Sequence, residues 1–211
     1  MDFFEVLHTQ RSIRSFKPDP VPEEALWKML DAAIRAPSGT NTQPWIWLVI
    51  RDQARREIIG NAIGEHMKSM GAAERMSETA KSLDDTSQRL VLQRSLAFFQ
   101  KVATAPVLII PCLVNVSSPV SDPRTLLAGS SIYAAVQNLM LAARAQGLGT
   151  VLTTFQNFME DTLSKEFHIP EGAVPVCIIP VGYPDGQNFG PTTRKPVQSV
   201  TYWDDWGTTL E

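Results

Sequence analysis

The spacing of apolar residues along the chain predicts helices separated by single strands. Leu26, Met29, Leu30 and Ala33 recur three or four residues apart, as on one face of a helix, and they follow Pro22, which suits a first helical turn. Other stretches are short, continuous and rich in β-branched or aromatic side chains, which is typical of strands. The pattern predicts helices at 3–10, 22–36, 52–63, 64–101, 126–146 and 160–167, and strands at 45–51, 107–116, 149–155 and 174–182.

Long helical segments between isolated strands predict an α+β or mixed α/β domain over 1–211, with a central sheet covered by helices. The helical segment at 64–101 is interrupted near Gly71, and the tail from Pro184 onward is rich in proline, glycine and polar residues. Because this tail also carries Tyr202, Trp203 and Trp206, we expect it to pack on the protein's own core or on a partner subunit.

The composition is that of a globular protein, with 44% apolar and 19% charged residues among 211. A net charge of −3 provides no global basic excess to meet a phosphate backbone, so no nucleic-acid partner is expected. The N-terminus lacks the order of a signal peptide, and the longest apolar stretch, 102–116, is short and contains two prolines. We therefore expect a cytoplasmic protein without a membrane partner, in which Cys112 and Cys177 are buried and reduced.

Several common catalytic signatures are absent from the sequence. The three histidines are far apart, with no HExxH motif and no Cys–His cluster, so no metal site is expected. There is no GxSxG motif and no Walker A sequence. Gly147 and Gly149 follow a predicted helix and not a strand, which argues against a dinucleotide-binding fingerprint. If the protein is an enzyme, its reactive group is therefore expected to come from a bound cofactor.

Two basic clusters near the ends of the chain are candidate phosphate contacts. Arg11, Ser12 and Arg14 follow the first predicted helix, and Arg194 and Lys195 lie in the tail. Guanidinium groups bind phosphate bidentately, and a hydroxyl can add a further hydrogen bond. The alternative is that both clusters are solvated charges, the first of them favoured by the helix dipole.

Two polar clusters beside predicted strands are candidate contacts to a flat heteroaromatic ligand. The first is PSGTNTQPW at 37–45, whose short polar side chains can present several donors and acceptors. The second is GLGTVLTT at 147–154, whose glycines allow the backbone to approach a planar ring closely. The alternatives are a simple turn for the first cluster and a helix stop for the second.

In this order and spacing, the four clusters resemble the FMN-dependent nitroreductase family over nearly the whole chain. RSIRSF at 11–16 is similar to the family's opening Arg-Ser-x-Arg motif, and 37–45 is similar to its Pro-Ser-x-x-x-x-Gln-Pro-Trp motif. Two later family motifs also have counterparts here. One is the helical segment that ends in QGLGT, and the other is VGYP at 181–184 followed by Arg194-Lys195-Pro196. The combination carries the resemblance, since each motif alone is less specific.

The resemblance implies an α+β sandwich with a central mixed, mainly antiparallel sheet, and a homodimer with FMN at the subunit interface. It implies that the 184–211 tail embraces the partner and that 63–101 forms a helical lid. The basic clusters would hold the phosphate and ribityl end, with Arg14 able to reach the N1/O2 edge, and Thr154 would contact N5. The implied FMN-binding residues are Arg11, Ser12, Arg14, Pro37, Ser38, Gly39, Asn41, Gln43, Thr153, Thr154, Arg194 and Lys195.

The resemblance also implies the chemistry. The flavin, and no side chain, would carry electrons from NAD(P)H to a small acceptor such as a nitroaromatic or a quinone, in ping-pong order. The run at 152–154 is closer to the dehalogenase-like branch of the family, which favours one-electron steps, but 63–101 lacks the tyrosine that this branch uses in its lid. A one-electron or dehalogenating enzyme, a non-catalytic flavin-binding protein, and an α/β domain with coincidental basic turns remain the alternatives.

Overall fold

The computed structural model describes residues 1–99, 101–115, 126–186 and 189–209. Seven helices and five strands in these ranges follow the predicted order. The helices are α1 (Phe3–Thr9), α2 (Glu23–Ala33), α3 (Gln53–Ser69), α4 (Ala72–Ser82), α5 (Thr86–Phe99), α6 (Leu126–Ala145) and α7 (Glu160–Phe167). The strands are β1 (Trp45–Ile50), β2 (Val107–Leu113), β3 (Gly149–Thr150), β4 (Val174–Pro175) and β5 (Ile179–Gly182).

The sheet is built around β2, and every pairing between its strands is antiparallel. One edge of β2 pairs with the whole of β1, from Trp45 opposite Leu113 to Ile50 opposite Leu108. The other edge pairs first with β5 and then with β4, and β3 adds to the far side of β5. This arrangement confirms the prediction of an α+β fold with a mainly antiparallel sheet.

Successive residues of β2 point to opposite faces of the sheet, and both faces are buried. On one face, Val107, Ile109 and Leu113 join a core formed with α2 and α6. On the other face, Leu108 and Ile110 join a core to which α3, α5 and α7 contribute. The sheet is therefore covered by helices on both sides, as predicted for a sandwich.

The predicted strands are shorter in the structure than in the sequence pattern, and the last two differ most. The strand expected at 149–155 pairs only at β3 and at a bridge from Thr153 to Ile178, and Phe155 already belongs to a 3-10 turn. The strand expected at 174–182 is divided into β4 and β5, each of which contains a proline that cannot donate to the ladder. The second predicted strand, at 107–116, ends at Leu113 in the structure, and its predicted last residue, Val116, lies outside the described residues.

Two local features mark the start of α3 and the boundary between α3 and α4. The Asp52 side chain accepts a hydrogen bond from the Arg55 N–H at 2.9 Å, which caps α3 where the sequence pattern predicts that this helix begins. Gly71, with a φ of 57°, separates α3 from α4 at the predicted interruption. The predicted lid at 63–101 thus consists of the end of α3, α4, α5 and the residues that follow α5.

The tail turns back across the N-terminal helix and then exposes its apolar side chains. Phe189 packs under the buried Arg144 guanidinium at 4.1 Å, and the Thr192 N–H donates to the His8 carbonyl at 3.2 Å. Further along, Trp203 is 50% exposed and Trp206 is 93% exposed. The tail therefore leaves its largest side chains uncovered by the described parts of its own chain. None of the described helices has the length and apolar character needed to cross a bilayer.

Candidate functional site

The first basic cluster is fixed to the sheet through its backbone. The Ile13 N–H donates to the Thr150 carbonyl at 2.9 Å, and Ser12 forms a parallel bridge with Thr150. Ile13 is fully buried, and a Cβ placed on Gly149 would lie 2.7 Å from the Ile13 side chain. The residue at 149 must therefore lack a side chain for this contact to form. The contact brings the clusters at 11–14 and 147–154 together.

The second basic cluster returns to the same end of α1. A hydrogen bond joins Thr192, two residues before Arg194, to His8, three residues before Arg11. Arg194 is exposed, and its one hydrogen bond to a described residue goes to the adjacent Thr193 carbonyl, at 2.8 Å. The side chains of Arg11 and Lys195 form no hydrogen bond or ion pair with any described residue. Three exposed cations thus lack a carboxylate partner within the described ranges.

The loop at 37–43 has an unusual backbone. Three non-glycine residues close together, Thr40, Asn41 and Gln43, have positive φ angles of 48°, 56° and 50°. The Gln43 N–H donates to the Ser38 hydroxyl at 3.0 Å, and the Gly39 N–H donates to the Ser131 hydroxyl of α6 at 3.2 Å. Left-handed conformations are costly for threonine and glutamine, and such strain is often concentrated at binding sites. No hydrogen bond among the described residues links this loop to either basic cluster.

The two threonines predicted to lie near the flavin have different surroundings. Thr153 is buried, and its hydroxyl donates to the Ile178 carbonyl at 2.8 Å. Thr154 is exposed, and its hydroxyl has no hydrogen-bond partner in the part of the chain that the structure describes. The hydroxyl of Thr154 is therefore the one that remains available to a ligand.

Arg14 lines a cavity of about 480 Å³ between the 14–16 segment, α5 and the start of the tail. Arg94 and Lys101 line the same cavity. Burial, and then the neighbouring Arg94 guanidinium, lower the pKa of Arg14 below its usual value. Arg94 and Lys101 are not among the predicted site residues, although a seven-residue spacing within the predicted helical segment 64–101 would place them on one helix face.

Two other cavities are weaker candidates for a cofactor site. The larger one, of about 770 Å³, contains Arg56, whose guanidinium is already bonded to the carbonyls of Ala103 and Ala105 at 2.7 and 2.6 Å. The other, of about 630 Å³, is a mainly apolar groove between α2 and β1 that includes the exposed Trp27 and Ile46. Across the described ranges, no three His, Cys, Asp or Glu side chains are grouped as metal ligands.

Comparison with known proteins places this architecture in a family. The model of the nitroreductase family matches residues 7–183. A Methanothermobacter thermautotrophicus protein named NADH dehydrogenase/NAD(P)H nitroreductase is 32% identical over 186 residues, which cover 87% of this chain and 78% of the relative. An iodotyrosine deiodinase of Thermotoga neapolitana is 30% identical over 183 residues, covering 86% and 88% of the two chains.

The fold of this protein is also similar to that of a solved structure. The structure of oxidized iodotyrosine deiodinase bound to FMN and 3-iodo-L-tyrosine superposes with a TM-score of 0.65 at 25% identity. The match covers 95% of this chain and all of the other. The chain belongs to the nitroreductase family, which confirms the resemblance found in the sequence.

Proposed function

We propose that the protein binds FMN and acts as an NAD(P)H-dependent oxidoreductase on a small acceptor such as a nitroaromatic or a quinone. The observation that carries the proposal is the docking of Ser12 and Ile13 on Thr150, together with the return of the tail to the end of α1. These contacts gather segments that are far apart in sequence around one group of unpaired cations. The relatives described above, one of them solved with FMN, support the same assignment.

The residues present fit the phosphate end of FMN. A phosphate dianion needs guanidinium, ammonium, hydroxyl or backbone N–H donors. Arg11, Arg194 and Lys195 supply the charged donors, and Ser12 supplies a half-buried hydroxyl beside them. Because no carboxylate neutralises these cations among the described residues, the phosphate would be their counterion.

The residues at 37–43 and Thr154 fit the ring end of FMN. Pro37, Gly39 and Asn41 are exposed on the strained loop, where backbone and amide groups are available to a flat ring. The exposed Thr154 hydroxyl is the donor proposed for N5, whereas the hydroxyl and the backbone N–H of Thr153 both already donate to the Ile178 carbonyl. When bound there, FMN would supply the redox chemistry that links NAD(P)H to the acceptor.

A homodimer completes the proposed site. Within one chain the 37–43 loop has no hydrogen bond to the basic end of α1 in the described ranges, so a partner's loop is proposed to close over the FMN held by the first subunit. The tail aromatics Trp203 and Trp206 are exposed, and so are Trp27 and Ile46 in the groove between α2 and β1. Burying one apolar surface against the other would explain both. Light scattering on the full chain, and on a chain ending at Lys195, tests this arrangement: the first should be a dimer and the second should dissociate more readily.

The visible absorption spectrum of the purified protein tests the catalytic proposal. Under anaerobic conditions, flavin bands should be present and should bleach on addition of NADH or NADPH, then return with menadione or a nitroaromatic. Flavin bands that persist with both nicotinamides would favour the non-catalytic flavin-binding alternative. No flavin bands after reconstitution with FMN would overturn the proposal.

A dehalogenating activity is the second candidate because relatives named iodotyrosine deiodinase match over most of this chain. Against it, the lid at 63–101 contains no tyrosine. Release of iodide from 3-iodotyrosine by the photoreduced protein would support this candidate. Oxidation of the reduced protein by menadione, with no iodide released from 3-iodotyrosine, would exclude it.

A further inference from the structure

Arg144, near the C-terminal end of α6, carries its charge in the protein interior. The residue is only 7% exposed, and no other charged residue in the described ranges is buried to this degree. Burying a guanidinium group is costly unless its donors and its charge are compensated by neighbouring groups. The partners of Arg144 therefore identify the elements of the fold that depend on it.

Arg144 contacts α1 and the tail at the same time. Its Nε donates to the Thr9 hydroxyl at 2.9 Å, and its guanidinium lies 4.0 Å from the carboxylate of Glu5, one turn earlier on α1. The Phe189 ring of the tail packs on the same guanidinium, with 4.1 Å between the central carbon and the ring centroid, which is a cation–π contact. One side chain of α6 thus joins the first helix to the C-terminal tail.

Neither α1 nor the tail has many other contacts that could fix its position. Val6 is the one buried residue of α1, and other apolar side chains of this helix are exposed. In the described tail after residue 186, a single backbone hydrogen bond, from Thr192 to His8, reaches another element. The contacts of Arg144 are therefore a large part of what holds α1 and the tail beside each other.

The two elements that Arg144 joins carry the proposed phosphate donors. Arg11 lies two residues after Thr9, and Arg194 lies five residues after Phe189. Cations without a carboxylate partner repel each other, so they stay close together only where the backbones that carry them are held in place. Arg144 holds both of these backbones from one point at the end of α6.

We propose that Arg144 is a positioning residue for the FMN phosphate, which holds α1 and the tail so that Arg11 and Arg194 converge on one anion. This inference rests on the proposed function. The guanidinium is buried and its Nε is already bonded, so it acts through α1 and the tail and not by touching the phosphate. Its effect is therefore selective: affinity for FMN depends on Arg144, whereas affinity for riboflavin, which has the same ring and no phosphate, does not.

The test compares the dissociation constants of FMN and riboflavin, measured by quenching of flavin fluorescence on titration with the apoprotein. Arg144→Met removes the charge and the donors but keeps an unbranched apolar chain in the buried space. It should weaken FMN binding about tenfold, as expected for one displaced charge-assisted hydrogen bond, and change riboflavin binding less than about twofold. Thr9→Val and Phe189→Leu each remove one contact of Arg144, and each should weaken FMN binding selectively by a smaller factor.

Arg55→Met is the matched control. Like Arg144, Arg55 combines a hydrogen bond, to the Glu166 carbonyl at 3.0 Å, with a cation–π contact, to Phe167 at 5.1 Å, but it joins α3 to α7. This variant should keep the wild-type affinity for both flavins. In an Arg194→Ala background, Arg144→Met should cost less FMN affinity than in the wild type, because one of the donors that Arg144 positions is already gone.

Equal losses of FMN and riboflavin affinity in the Arg144, Thr9 and Phe189 variants would overturn the inference, since Arg144 would then serve the fold alone. Wild-type FMN affinity in all three variants would also overturn it, while leaving FMN binding by the protein intact. A wild-type protein that binds neither flavin would overturn the proposed function together with this inference. Because Thr9→Val and Phe189→Leu keep the guanidinium itself, the test does not depend on the folding of Arg144→Met.

Discussion

Replacing Gly149 with alanine should disturb the FMN site without touching any group proposed to bind FMN. A Cβ at this position would lie 2.7 to 2.8 Å from three Ile13 side-chain atoms. Carbon atoms prefer separations of about 3.5–4.0 Å, so Ile13 would have to move by roughly 1 Å. Ile13 is fully buried, and its N–H is bonded to Thr150, so it cannot move without carrying Ser12 and the adjacent arginines with it.

The expected size of the effect follows from this geometry. Overpacking of a buried site costs about 1–3 kcal/mol of unfolding free energy. Displacing the phosphate donors should weaken FMN binding roughly tenfold, the equivalent of about one charge-assisted hydrogen bond. Urea denaturation of the apoprotein measures the first quantity, and quenching of FMN fluorescence measures the second.

Gly64→Ala is the matched control. Gly64 lies within α3, and a Cβ there would meet no atom within 4 Å. Alanine in a helix interior should stabilise the protein by roughly 0.5–1 kcal/mol relative to glycine and leave FMN affinity unchanged. A Gly149→Ala variant with the wild-type stability and FMN affinity would refute the steric argument. Lower stability with wild-type FMN affinity would show that the contact serves the fold and does not position the donors.

The other predictions concern single side chains. Arg11→Ala and Arg194→Ala should each raise the FMN dissociation constant about tenfold, and wild-type affinity in both variants would remove these residues from the site. Thr154→Ala should change FMN affinity little but alter the balance of one-electron and two-electron reduction in a photoreduction titration; an unchanged balance would contradict the N5 contact. Burial raises the pKa of Cys112 to about 11 and also raises the pKa of Cys177. Both thiols stay protonated in the folded state while they ionise in the unfolded chain, so their contribution to stability is complete below about pH 9 and is lost as the pH rises towards 11. The urea midpoint should therefore fall over that range, and less steeply in a double alanine variant, whereas equal slopes would refute the assignment.

The sequence predicted most of the fold because the strongest signals are local. The apolar stripe of α2, the Asp52 cap of α3 and the apolar run of β2 depend on near neighbours, and each lies within a few residues of its predicted position. Strand length depends on the partner strand, which no local pattern reveals. The segment after Thr150 loses its ladder where the register reaches Pro180 of β5, which has no N–H to donate, and Thr153 then forms a bridge with Ile178.

The candidate site was predictable as a set of motifs but not as a geometry. The adjacent threonines look alike in sequence, yet the pairing with Ile178 buries the hydroxyl of Thr153 and leaves that of Thr154 exposed. Arg94 and Lys101 lie about 80 residues beyond Arg14, and nothing in their own surroundings in the sequence connects them with it. Only the packing of α5 against the Arg14 segment places the three cations around one cavity.

The division of the proposed site between two chains has a thermodynamic consequence. One chain presents the docked Arg11 segment and the tail, and the strained loop at 37–43 has no hydrogen bond to them in the described ranges. If FMN is held by the basic end of one subunit and the loop of the other, then FMN must strengthen the dimer by the same factor by which dimerisation strengthens FMN binding. Part of the FMN binding free energy would then offset the backbone strain at Thr40, Asn41 and Gln43. Sedimentation of the protein with and without FMN measures this coupling, and equal dimer dissociation constants would place the whole FMN site within one chain.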